Sequence, residues 1–292
     1  MISYSVIIPH YNSPVLLKRC IASIPEREDI QVIIVDDCSD PKKVDFAHLP
    51  GRNRPYTEIY RTPYGGSAGR ARNIGLSHAK GQWLVFADAD DFFTSEAWDV
   101  MDTYLNSPYD IIYFRHTSVD SDTLEPNDRH MVYGRYFDAY FDHPTDNTLD
   151  HLRYRHDIPW GKMIRRSMVE ENRITFGETR YCNDTLFSTK TAISARTVFA
   201  DKRSTYCVTT EHNSLIHQQS KEAILTRLDV LLTKNQLLRQ HGLVKHQPSV
   251  LFYFKDALFQ YGIASFIKAV CLAYRHRTPL SMIYIYSRLY KN

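Results

Sequence analysis

The 292-residue sequence contains no CxxC pair, and its five cysteines (Cys20, Cys38, Cys182, Cys207 and Cys271) are scattered and odd in number. That pattern builds neither a zinc ribbon nor a disulfide framework, and it fits a reducing cytoplasm. A charge excess is also missing. Lys and Arg number 36 against 33 Asp and Glu, a formal +3, and no long basic run concentrates it, so no nucleic-acid partner is expected. The most apolar late stretch, residues 257–274, is interrupted by Gln260 and Lys268. A spanning helix needs about 20 mainly apolar residues, so this one is expected to dock rather than span. The opening MISYSVIIPHYN has no basic n-region and its apolar run stops at Pro9, so no signal peptide is expected. Internal repeats and low-complexity segments are absent too.

What is present is a chain with 43% hydrophobic residues, enough for a substantial core in one large domain or two smaller ones. Up to about residue 115, short apolar runs alternate with amphipathic patterns, which predicts an α/β domain with a largely parallel sheet. Strands are expected at 4–9, 31–37, 57–62, 82–88 and 110–115. Helices are expected at 13–24, with Ser13 as cap and Pro14 in the first turn, at 68–79 and at 95–105. Residues 116–150 are polar and turn-rich at their start and predict a hairpin or excursion. Further helices are expected near 160–171 and 183–195, with strands near 197–200 and 204–209. Beyond 218 the pattern is helical, including one helix over 249–275.

Three of the predicted strands run into polar clusters, IIPHYN, IIVDDCSD and LVFADADD. In an open α/β sheet, ligands bind at the carboxyl ends of the strands. A solvated loop would account for any one cluster, but acids at two strand ends are harder to dismiss. Asp36 and Asp37 could accept hydrogen bonds from a base or ribose. Asp88, Asp90 and Asp91 repel one another, and Asp88 and Asp90 suit a hard divalent cation that shares its oxygen ligands with substrate phosphates. An EF-hand loop opening at Asp88 would need Gly and Glu where Phe93 and Asp99 stand. Helix capping needs only Thr94 or Ser95. Upstream, GGSAGRARNIG (65–75) adds backbone open to close approach and two guanidinium groups, Arg70 and Arg72, able to meet phosphate or a site carboxylate. It is not a Walker A loop, because no GK[ST] follows the glycines.

Taken together, SVIIPHYNSPVLLKRCIASI, QVIIVDDCSD and GGSAGRARNIGLSHAKGQWLVFADADDFF resemble the family 2 glycosyltransferases, inverting enzymes with the nucleotide-sugar-binding GT-A fold. The resemblance is dense over residues 3–93 and thinner over 160–187. It implies a Rossmann-like, mainly parallel central sheet with flanking helices in a catalytic domain over 1–217. Residues 1–115 would form the nucleotide-binding part and 116–217 the acceptor and catalytic part. Residues 218–292 form a C-terminal helical extension that matches no family motif.

Residue by residue, the resemblance implies that Pro9 and Tyr11 line the nucleotide pocket and that Asp37 faces the uracil edge. Arg72 and Asn73 fall near the base and the metal-binding acids. Asp88 and Asp90 form the DxD element, Asp90 being the direct ligand of Mn²⁺ or Mg²⁺. Asp184 stands where the family keeps its catalytic base, with a helix cap as the alternative or additional role. The family's usual acid before that base is Asn183 here. Loss of that neighbouring charge predicts a slightly lower Asp184 pKa than an acid pair would have. Trp160 and Lys162, in PWGK, match an element near the sugar and acceptor, although a core tryptophan competes with that reading. In YCVTTEHNSLI (206–216), His212 is the candidate for phosphate or metal contact, an exposed loop histidine being the alternative.

The implied reaction is transfer of a sugar from a UDP-sugar to a hydroxyl of a glycan or lipid-linked oligosaccharide, giving a β-linkage in surface polysaccharide or lipooligosaccharide, as in capsule or O-antigen. The aromatic and basic stretch 249–292 suits a peripheral contact with the inner face of the cytoplasmic membrane, a helical cap or a homodimer contact. Two other classes compete. A sugar nucleotidyltransferase would carry glycines directly after the first strand, and IIPHYNSP has none. An inactive glycan-binding or scaffold subunit would have lost acids, whereas Asp37, Asp88, Asp90 and Asp184 are all present.

Overall fold

The computed structural model describes residues 1–210 and 220–278. Contacts divide the chain into two units, 1–212 and 213–292.

The first unit is built on an eight-stranded sheet in the order β3-β2-β1-β4-β7-β6-β8-β5. Its strands are β1 (Tyr4–His10), β2 (Ile30–Asp36), β3 (Thr57–Arg61), β4 (Trp83–Phe86), β5 (Phe92–Phe93), β6 (Ile111–Asp120), β7 (Lys162–Arg165) and β8 (Val198–Thr210). Neighbours from β3 to β4 are parallel, as are β6 and β8. β7 runs antiparallel between β4 and β6, and β5 antiparallel on β8.

The central strands β1 and β2 are buried throughout and mostly apolar because both faces are covered. Alternate residues serve different cores. Tyr4, Val6 and Ile8 with Val32, Ile34 and Trp83 pack on one face. Ile7, Ile33, Val35, Leu84 and Phe86 pack on the other. α1 (Pro14–Ala22) and α3 (Ala97–Asp102) contribute to the first core, and α2 (Ala68–His78), α6 (Arg166–Glu171) and α7 (Thr185–Ser194) to the second. Glycines let α2 approach the sheet closely: a Cβ on Gly75 would lie 2.4 Å from the Ile7 side chain.

In this unit four expectations are corrected. Residues 116–150 do not form only an excursion. β6 runs on to Asp120, an isolated bridge joins Val119 and Pro126, and two helices follow, α4 (Met131–Asp142) and α5 (Asp146–Arg155). α5 starts at a Thr145 capping box, and the α4 aromatics pack as a helical face around Phe137 and Tyr140. The helix expected over 160–171 is strand β7 and then α6, because Gly161 (φ 65°) turns the chain into the sheet. The two late strands are one, β8, with register shifts against β6 between Phe114 and His116. Ser13 occupies the N-cap of α1 without a side-chain cap bond, and its N–H instead donates to His10 Nε2 at 3.3 Å.

The second unit holds α8 (Lys221–Gln240), α9 (Leu251–Phe259) and α10 (Ile263–Arg275). The single helix expected over 249–275 is broken at Gly262, whose φ of 77° lies in the left-handed region. Leu228, Leu232, Phe254, Ala257, Ala269 and Ala273 form its core. Among the described residues no helix is long and apolar enough to cross a membrane.

Candidate active site at the carboxyl ends of the strands

β1 and β2 end side by side, and their last residues lock together. His10 Nδ1 donates to Asp36 at 2.9 Å, which leaves Nε2 to accept from Ser13. Asp36 also accepts from the Ser39 amide and hydroxyl. Burial outweighs this carboxylate and holds the His10 pKa below its usual value. Asp36 is therefore structural. Asp37 is buried as well: it accepts from Thr62 Oγ1 at 3.0 Å and from the Gly66 and Ser67 amides at 2.9 and 2.8 Å. A carboxylate offers about four acceptor positions, and these contacts use three of them. Pro9 is buried in β1, whereas the Tyr11 ring stands 60% exposed just beyond it.

Asp37 thereby anchors the glycine-rich loop that opens α2. Gly66 has a φ of 112°, which a side chain would strain. Ser67 caps α2 by accepting from the Arg70 amide. At Gly69 a Cβ would meet the Gly177 carbonyl at 1.9 Å, so only glycine lets α2 pass the 176–178 segment. Asn73 fastens the same segment, since its amide exchanges two hydrogen bonds with the Phe176 backbone. Arg70 lies 3.8 Å over the Tyr64 ring and pairs with Glu178 at 3.0 Å.

Arg72 turns inward. It is 5% exposed, and its two terminal nitrogens donate to Asn183 Oδ1 at 2.7 Å and to Asp88 Oδ1 at 2.5 Å. Of the two arginines, Arg72 thus meets a site carboxylate directly. Asp88, Asp90 and Asp91 offer carboxylate oxygens within 4.8 Å of one another. Asp91 is the buried member, and it accepts from the Thr209 amide at 2.7 Å. Burial, then Asp90 and Asp88, push its pKa well up. Oxygen donors crowded to the point of mutual repulsion fit a hard divalent cation, which would relieve that repulsion. Neither Thr94 nor Ser95 caps the following helix: α3 begins after Glu96, and the Thr94 hydroxyl donates to the Ser204 carbonyl.

Several supports of this cluster carried no signal in the sequence. The Tyr206 hydroxyl accepts from the Asp88 amide at 2.8 Å. Arg19 and the Thr209 hydroxyl both donate to the Asp90 carbonyl, at 2.8 and 2.9 Å. β8 and α1 therefore position the acids from two sides.

Asp184 sits at the N-cap of α7 and makes no side-chain cap bond. Burial pushes its pKa up to about 6, Arg72 pulls it down and Asp88 raises it. The neutral Asn183 beside it adds no like charge to that rise. Trp160 and Lys162 are not part of this gathering. Trp160 is 6% exposed and stacks on Tyr206 with centroids 5.2 Å apart. Lys162 is 2% exposed, with its ammonium donating to the His156 carbonyl at 2.7 Å. Neither presents an open face to an acceptor. His212 lies outside the described residues.

A mostly parallel sheet with crossover helices, a glycine-rich loop and an acidic cluster at its strand ends is the GT-A architecture. Residues 5–173 match the model for glycosyl transferase family 2, and the chain belongs to that family. It is 24% identical over 247 residues to EpsH of Bacillus subtilis (strain 168), assigned as a glycosyltransferase, covering 82% of this chain and 70% of EpsH. It is also 24% identical over 220 residues to TarS of Staphylococcus aureus (strain Mu50), a poly(ribitol-phosphate) β-N-acetylglucosaminyltransferase; 72% of this chain matches 36% of TarS, about a third of its length. The crystal structure of TarS 1–349 with UDP-GlcNAc superposes with a TM-score of 0.66 at 20% identity, covering 92% of this chain and 79% of that one. A Pyrobaculum calidifontis mannosyltransferase, PcManGT, crystallised with GDP-Man and Mn²⁺, shares the fold with a TM-score of 0.56 at 15% identity, covering 99% and 81%.

Proposed function

We propose that this glycosyltransferase moves a sugar from a UDP-sugar to a hydroxyl of a surface glycan or lipid-linked oligosaccharide, with inversion to a β-linkage. The observation that carries the reading is the convergence of Asp88, Asp90 and Arg72 with the helix start that bears Asp184. In the proposed donor site, Tyr11 offers its exposed ring to the base. Asp37 holds the loop backbone at Gly66 and Ser67 and spends its remaining acceptor position on the uracil edge. Pro9 and Asn73 shape the pocket wall, and Arg72 fixes the orientation of Asp88. The UDP and UDP-GlcNAc complexes of TarS support a uridine nucleotide.

Asp90, with Asp88, would hold Mn²⁺ or Mg²⁺, and the Mn²⁺ complex of PcManGT supports that assignment. When bound, such an ion supplies Lewis-acid stabilisation of the departing diphosphate. Asp184 accepts the proton of the acceptor hydroxyl as its oxygen bonds to the anomeric carbon and the bond from that carbon to the diphosphate breaks. A carboxylate pKa of about 6 leaves it ionised at neutral pH yet more basic than an ordinary Asp, as general-base catalysis favours. Any contact of Trp160 or Lys162 with an acceptor would require their packing to open. A cytoplasmic enzyme working on the inner membrane face agrees with a nucleotide donor and with the scattered, odd-numbered cysteines. UDP release from a panel of UDP-sugars, with Mn²⁺, with Mg²⁺ and in EDTA, tests the reading. No turnover of any donor by protein that binds UDP would favour the inactive glycan-binding alternative.

A further inference from the structure

The outward side of α10 is apolar. Ile263, Ile267, Cys271 and Tyr274 recur at spacings of three and four, which places them on one stripe. All four are exposed, Ile263 by 64%, Ile267 by 55% and Tyr274 by 86%. The other side of the same helix is apolar too, with Ala269 and Ala273 buried in the unit's core and Phe266 and Val270 packed against it. A helix that faces only solvent on its outer side carries polar residues there. α9 adds Phe252 and Phe259, 61% and 80% exposed. The exposed charges along these two helices are Lys255, Lys268 and Arg275, and Arg277 follows just past the end of α10. The one acid between residues 250 and 278 is Asp256, which is half-buried.

We propose that this face of α9 and α10 seats on an anionic lipid bilayer and holds the enzyme peripherally at the membrane. Isoleucine, phenylalanine and tyrosine side chains can enter the boundary between headgroups and acyl chains. The flanking cations meet the negative surface, each adding about 1 kcal/mol. Charge complementarity favours lipid over a second copy of this chain, because an isologous contact would bring the same cations together without acids to answer them. The proposal goes beyond the donor-site reading and does not depend on it.

The test is co-sedimentation of the full chain with vesicles of phosphatidylcholine alone and of phosphatidylcholine with phosphatidylglycerol, at low and high salt. Two double variants accompany it, Ile263→Ser with Ile267→Ser and Lys268→Glu with Arg275→Glu. All four positions are exposed, so the fold is expected to persist, and circular dichroism checks it. UDP release is measured in the same samples, which separates failure of this inference from failure of the transferase reading. Binding should favour the anionic vesicles, weaken with salt, and fall by at least ~10-fold in the charge-reversal variant. The serine variant should bind weakly to both vesicle types. Equal or negligible binding of the parent chain to both would overturn the proposal. So would a concentration-dependent dimer that the serine variant abolishes without any vesicle binding, which would assign the face to a second copy.

Discussion

Arg72 pairs with Asp88 at 2.5 Å from a position that is almost wholly buried. The same guanidinium reaches Asn183, the residue before Asp184. One planar cation thus ties an acid at the end of β4 to the start of α7, and Coulomb interaction with both Asp88 and Asp184 follows from its placement. Lysine cannot reproduce a two-pronged contact of this kind. Arg72→Lys should keep the charge and the fold yet lower kcat/KM by at least ~10-fold. Steady-state UDP release with a circular-dichroism control checks this.

Asn183 lets that arrangement exist with one charge fewer. A carboxylate at this position would add a like charge beside Asp184, which raises the pKa of the base. In Asn183→Asp the acid limb of the pH–rate profile should move upward from its parent position near pH 6. An unmoved limb would show that Asp184 does not set it. Asp184→Asn should leave UDP binding near normal and reduce transfer by at least ~10²-fold, the scale of general-base catalysis. Single-turnover transfer beside UDP titration separates the two. Wild-type transfer would place the base elsewhere.

The metal assignment rests on the crowding of Asp88, Asp90 and Asp91. EDTA should stop UDP release, and added Mn²⁺ or Mg²⁺ should restore it. Asp90→Ala should abolish release with the fold intact, since the contacts made to Asp90 by Arg19 and Thr209 go to its backbone carbonyl. Full activity in EDTA would overturn the assignment.

Much of this site was legible before any coordinates. The apolar runs of β1, β2 and β4 stop at polar clusters because both sheet faces are covered while the strand ends are open. Asp88 and Asp90 stand out for that reason, and Arg72 through its place in the glycine-rich stretch 65–75. Arg19, Tyr206 and Thr209 do not, because they reach the acids across 71, 118 and 119 residues, respectively. Nothing local marks a tyrosine in β8 as the partner of an amide after β4. The helices over 131–155 were hidden differently. Tyr, Phe and Val at the α4 positions carry strand propensity, and only packing against Phe137 and Leu152 settles the choice. Gly262 was visible, yet the apolar pattern on either side of it concealed the break between α9 and α10.

The last expectation concerns acid stability. His116 and His156 are 4% and 1% exposed, and their ring centroids lie 5.7 Å apart. Burial, with His130, Arg129 and Arg115 nearby, pushes the His116 pKa down to about 3. Burial, then Lys162 and His116, lowers that of His156. Both are neutral in the folded protein and take up protons more readily when it unfolds. At these two sites the folded state therefore binds fewer protons, and their contribution to stability falls as pH drops below the unfolded value of 6.5 toward 3. The slope of the His116 contribution approaches about 1.4 kcal/mol per pH unit over that window, and His156 acts in the same direction. The raised Asp91 and Asp184 carboxyls act in the opposite sense. Urea midpoints at pH 7.5, 6 and 5 are compared between the parent protein and a variant at His116, because the opposing carboxyls are common to both. His116→Phe, which keeps an aromatic ring against Trp160 and Tyr133, should decline less steeply over the same range. An equal decline in both proteins would mean that His116 does not carry the acid sensitivity.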